Sequence, residues 1–116
     1  MSRAQVAEGG SAYKRLANPA RGEAAFMISG RPYTLRPTFT ALVAAEEELG
    51  PLFALVERAS EGQLRLSEIA ALFWHCLAER ESVAREHVGE AVMQAGLAAA
   101  MAPLRVLLAQ VLQGRG

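Results

Sequence analysis

The sequence predicts an α+β fold that is mainly helical, with an N-terminal β-hairpin packed on a bundle of four to five short helices. Three observations point there. Apolar residues alternate with period two from Ala24, and the alternation is turned back at a glycine. From Phe39 onward the apolar residues recur at the helical period in successive stripes. A chain of 116 residues with 52% hydrophobic content also has enough apolar side chain to bury a core. The expected organisation is a flexible N-terminal arm over residues 1–20 and a single domain over 21–113.

The opening stretch shows no sustained period. Arg3, Lys14, Arg15 and Arg21 against Glu8 make it mildly basic, and Gly9, Gly10 and Ser11 suit a solvated arm that ends in an Asn18-Pro19 turn. In the first strand Ala24, Phe26 and Ile28 face one way, while Glu23, Ala25, Met27 and Ser29 face the other. Ser29-Gly30-Arg31-Pro32 supplies the reversal, and Tyr33 and Leu35 resume the alternation on a short strand bracketed by Pro32 and Pro37. Two strands alone are marginal in water, so the face made by Phe26, Ile28, Tyr33 and Leu35 must rest on helices; the hairpin's outer edge can recruit another chain.

Thr38 is a suitable N-cap for a first helix whose stripe is Phe39, Leu42, Val43 and Leu49, with Ala45 between. Gly50 closes it in the left-handed conformation and Pro51 takes the first position of the next helix, which carries Leu52, Leu55, Val56 and Ala59. A loop at Ser60-Glu61-Gly62-Gln63 leads to the clearest helix, capped by Ser67, in which Ile69, Leu72, Phe73, Cys76 and Leu77 fall on one face. A helix from about Val83 presents Val88, Ala91, Val92 and Ala95. Gly96 interrupts it, and the last helix uses Leu97 and Met101, then, past a start or kink at Pro103, Leu104, Leu107, Leu108, Val111 and Leu112. The final Gln113-Gly-Arg-Gly is expected to fray.

Composition narrows the chemistry. The formal net charge is zero, so no whole-molecule field draws the chain to nucleic acid or to an anionic membrane. The longest apolar pattern, Leu97 to Leu112, is broken by Pro103, Arg105 and Gln110, so no membrane span is expected, and no signal-peptide core is visible before Lys14. The one cysteine, Cys76, cannot pair within the chain, which suits a reducing compartment, the bacterial cytoplasm by default. Cys76 lies on an apolar stripe where a thiol acts as a small hydrophobe, and neighbouring His75 points away from it. Together with His87 they lack the spacing that would put two zinc donors on one face. No serine sits in a nucleophile turn and no glycines form a phosphate loop. An enzyme, a cofactor and a metal site are therefore not expected.

Three segments carry a family pattern: Arg21-Gly22-Glu23 with the Gly30 turn and Leu35-Arg36; Thr38 to Gly50 with Ala41-Leu42 and Glu46-Glu47; and Val88-Gly89-Glu90-Ala91-Val92 leading to Gly96-Leu97, Pro103-Leu104 and Leu107-Leu108. In these the chain resembles the tail-assembly-chaperone family of gene transfer agents and siphophage-like particles, a family also described as tail-tube-associated. Arg31-Pro32 and Phe73-Trp74 depart from the pattern. The resemblance implies a non-enzymatic protein that binds the tape-measure protein and helps tail tube protein assemble around it, with homo-oligomers expected. A minor structural component of the tail is the alternative. Candidate partner-binding residues are Glu46, Glu47 and Glu48, whose charges at a helix C-terminus oppose the macrodipole and call for another role; Trp74, which falls off the main stripe; Tyr33 on the hairpin; and Leu104 and Leu108 on a helix that could serve as an oligomer surface.

Overall fold

The computed structural model describes residues 17–18 and 21–113. Over them the order is β1 (Ala24–Ile28), β2 (Arg31–Leu35), α1 (Phe39–Leu49), α2 (Leu52–Ser60), α3 (Leu66–Cys76), a 3-10 turn (Arg80–Ser82), α4 (Arg85–Ala95) and α5 (Leu97–Gln113). This is the mainly helical α+β architecture that the periodicities predict. The expected arm, most of the Asn18-Pro19 turn and the frayed end after Gln113 lie outside the described residues.

The hairpin is tighter than expected. Ile28 pairs with Arg31 across a two-residue turn, Ser29-Gly30, in which both residues have positive φ (53° and 79°). That geometry matches the right-handed twist of the strands and favours glycine at the second position. Arg31 and Pro32 consequently belong to β2 and not to the turn. Pro32 is tolerated because it stands opposite Met27 in a pair that exchanges no ladder hydrogen bonds, so its missing N–H is not needed. Past β2 the chain is held against the end of α3: Arg36 N donates to Cys76 O (2.6 Å) and Ala78 N to Thr34 O (3.0 Å), around a bridge between Leu35 and Leu77.

Ala24, Phe26 and Ile28 turn inward onto the helices, as the alternation predicts. Phe26 meets Phe73 edge to face, their ring centroids 5.1 Å apart. α3 is the centre of the core: Ile69, Leu72, Phe73 and Cys76 are all buried, and so is Leu77 just beyond it. α4 adds Val88, Ala91 and Val92, and α5 adds Ala100, Leu104, Leu107 and Leu108. Ala95 stays outside.

Helix boundaries follow capping chemistry, with four corrections. Thr38 caps α1 as expected, its Oγ1 accepting from Ala41 N at 3.1 Å. The buried face of α1 is Ala41 and Ala45, however, and Phe39 stands 83% exposed. Gly50 closes α1 with φ 90° and ψ −176°, an extended mirror-image conformation open to glycine but not the left-handed helical one. Pro51 is the N-cap residue of α2, not its first helical residue. At α3 the helix begins at Leu66, and Glu68 reaches back to accept from Arg65 N at 2.8 Å, displacing Ser67 from the capping position. Pro103 neither starts nor ends a helix. α5 runs through it from Leu97 to Gln113, with no N–H at Pro103 to donate to the preceding turn.

Candidate interaction surfaces

The acidic run at the end of α1 splits into three fates. Glu46 turns along the chain, and its Oε2 accepts from Leu52 N at 3.1 Å. Pro51 has no side-chain donor or acceptor to cap α2, so a carboxylate from the preceding helix does it, at the end where negative charge is favoured. Glu48 turns inward. Its Oε1 accepts from Nε2 of His75 at 2.8 Å, and its Oε2 pairs with Arg85. Glu47 is exposed and makes no hydrogen bond among the described residues.

Glu48 thereby ties α1 to α3 and α4. The hydrogen bond from Arg85, then that from His75, holds its carboxyl below the ordinary value of 4.5 against the opposing effect of desolvation. A carboxylate only accepts, so Nε2 of His75 carries a proton in this contact, and its buried Nδ1 has no partner among the described residues. Arg85 also lies over the Trp74 ring, 4.6 Å from its centroid, and Arg80 covers the same ring at 5.6 Å. The Trp74 indole N–H donates to Val83 O at 3.0 Å, and the His75 ring meets the indole edge on. Trp74 is half-buried and fully engaged within the chain. The cluster is a brace between three helices. Cys76 faces the core, where burial pushes its thiol up to about 12.

Tyr33 is half-buried on the hairpin, with Arg31 lying over its ring at 5.9 Å. Leu104 and Leu108 are buried in the chain's own core at 1% and 8% exposure. Their place on the apolar side of α5 made them conspicuous, and folding uses that side internally. All three residues of the acidic run stay exposed, and Glu47 alone of them makes no hydrogen bond among the described residues.

Two features escaped the sequence reading. Alternation placed Glu23 on the outer side of the hairpin, yet it is buried at 4% exposure: Arg36 Nε donates to its Oε2 at 2.8 Å and Asn18 N to its Oε1 at 3.0 Å. Glu23 and Arg36 were both among the residues carrying the family pattern, and the ion pair gives that pattern a physical reason. The second feature is uncovered apolar surface. Besides Phe39, the structure leaves Phe53 65% and Met93 68% exposed, with Leu97 and Met27 also outward. Phe53 was legible, since the stripe Leu52, Leu55, Val56 and Ala59 leaves it out; Phe39 was not, because it looked like part of the buried stripe.

Among the described residues no group of three His, Cys or Glu side chains is placed to hold a metal ion, and no single helix is long and apolar enough to cross a membrane. A helical domain with its polar clusters spent on bracing and large apolar side chains turned outward is of the class that works by contact with other proteins. The chain belongs to the family described as phage tail tube protein, GTA-gp10, whose family model matches residues 21–114. It is thus a member of a phage and gene-transfer-agent tail family with a tail-related structural role. No curated protein and no solved structure matches it.

Proposed function

We propose that the chain acts as a tail assembly chaperone, gripping the tape-measure protein in the bacterial cytoplasm and helping tail tube subunits assemble around it. The observation that carries this reading is the pairing of a helical fold with uncovered Phe39 and Phe53. A client that is itself helical and partly apolar is held by exposed aromatic side chains that desolvate on contact and release without bond breaking. Among the described residues the sheet has two five-residue strands, too little to form the wall of a tube by itself. Tail-protein partners and self-association accord with the family.

Co-expression with a tape-measure fragment tests the reading. The chain is expected to keep the fragment soluble and to co-purify with it, and Phe39→Ser/Phe53→Ser to abolish both effects. Glu47→Lys should weaken capture less, since Glu47 is the one member of the acidic run without an internal task. A fragment equally soluble and uncaptured with or without the chain ends the proposal. The family description itself favours a second reading, a minor component retained in the tail. Mass spectrometry of purified particles separates the two: a chaperone is absent or scarce there, and a tail component is present in fixed ratio to the tube subunit.

A further inference from the structure

We propose that the outer edge of β1 pairs with β1 of a second copy of this chain, antiparallel about a two-fold axis at Phe26. The two edges of the hairpin are treated unequally. Because Ile28 and Arg31 close a two-residue turn, they form a hydrogen-bonded pair, and such pairs recur at Phe26–Tyr33 and Ala24–Leu35. Pro32, Thr34 and Arg36 therefore turn their backbone outward on one edge, and Ala25 and Met27 on the other.

The first edge is closed: Pro32 has no N–H, Thr34 O accepts from Ala78 N, and Arg36 N donates to Cys76 O. The second is open. Ala25 and Met27 are both exposed, and no described residue bonds their outward N–H or C=O groups. β1 also carries none of the lysines, prolines or bulges that usually blunt an edge.

The open edge is complementary to itself. With Phe26 opposite Phe26 of the second copy, Ala25 of each copy faces Met27 of the other, and these are the pairs that exchange hydrogen bonds. Every outward donor and acceptor is then satisfied. On the solvent side each exposed Met27 lies beside a small Ala25, and the strand is uncharged throughout, so nothing repels. So short an edge makes a weak contact, one that forms where copies are concentrated or held in an array. The pairing is independent of which client the helices grip.

Sedimentation equilibrium of the full chain, with residue-resolved amide exchange across a concentration series, tests it. The expected result is a reversible dimer in which exchange at Ala25 and Met27 slows as concentration rises. Ala25→Lys/Met27→Lys sets lysines face to face across the axis on an exposed surface. It should raise the dissociation constant about tenfold or more while the circular dichroism is unchanged. Met27→Pro removes one outward N–H per copy opposite a position where proline is already accommodated, and should do the same. If that variant misfolds, the lysine variant decides. A chain that stays monomeric at millimolar concentration overturns the proposal. So does a dimer indifferent to the lysines, or protection at Ala25 and Met27 that does not depend on concentration, which would mean the edge is covered by another part of the same chain.

Discussion

α3 and α1 are both eleven residues long and lie against each other, yet α3 buries seven of its side chains and α1 only two, both alanines. The difference separates a helix that makes the fold from a helix that presents a surface. α3 is covered by α1, by α4 and, through Phe26, by the hairpin, so its Phe73 and Leu72 are almost wholly removed from water. α1 touches that core through Ala41 and Ala45, whose small side chains let the helix axis come close, and its large apolar residues lie at the margin or outside.

Substitutions at the two helices should therefore differ in kind. The largest effect is expected at the centre: Phe73→Ala removes a fully buried ring that meets Phe26 edge to face, and should cost about 3 to 5 kcal/mol by urea denaturation. That approaches the whole stability of a small domain, so a large unfolded fraction before denaturant is added is the expected appearance. A loss as small as that of an exposed residue would mean that α3 is not the centre of the core.

The next effect in size lies where the hairpin is pinned. Glu23 is buried, whereas the Arg36 side chain is 44% exposed, so the two halves of this ion pair are not equivalent. Arg36→Ala strands a buried carboxylate and should cost about 2 to 3 kcal/mol. Glu23→Ala leaves a cation that water can reach and should cost less, about 1 to 2 kcal/mol. Equal losses in the two variants would show that Glu23 is hydrated in solution.

What was legible in the sequence follows the same division. The stripe of α3 could be read because its buried residues are large, apolar and regularly spaced, and the inward face of β1 because alternation is a local property. The buried face of α1 could not, since alanine carries little hydrophobic weight beside Phe39, Leu42 and Val43. Nor could the brace at Glu48, whose partners His75 and Arg85 lie 27 and 37 residues away. Periodicity reports which side of an element faces inward; it is silent on which charges from distant elements meet there. Glu23 is the same case on a strand. Its parity marks it as outward, and a partner thirteen residues on brings it inside.

The brace gives a smaller, pH-dependent effect. The carboxyl of Glu48 titrates lower in the folded chain than in the unfolded one, because Arg85 and His75 donate to its charged form. Its stabilising contribution is thus complete above the ordinary value of 4.5 and is lost as pH falls through the lowered folded value. Glu68, lowered by Arg58 and by the Arg65 backbone N–H, has the same sign. The Glu48 pair with Arg85 is partly exposed, so Glu48→Gln should cost only about 0.5 to 1 kcal/mol at neutral pH and should flatten the loss of stability below pH 4.5. An acid limb unchanged by Glu48→Gln would remove the brace from the account.

The smallest effect on stability should come from the residues most exposed on the outer layer, and there the contrast between the two helices is sharpest. Phe39→Ser and Phe53→Ser remove rings that are already 83% and 65% exposed, so each should change the unfolding free energy by no more than about 0.5 kcal/mol. Solubility of the free chain should rise as the uncovered aromatic surface shrinks. A ring kept in water contributes little to folding, and its cost to solubility is repaid only when a partner covers it. The informative result is the combination: a double variant as stable as the original, measured by urea denaturation, that no longer retains a tape-measure fragment. If the double variant instead unfolds as readily as Phe73→Ala, the aromatic rings of α1 and α2 belong to the core in solution, and the division between a helix that folds the chain and helices that present its surface fails.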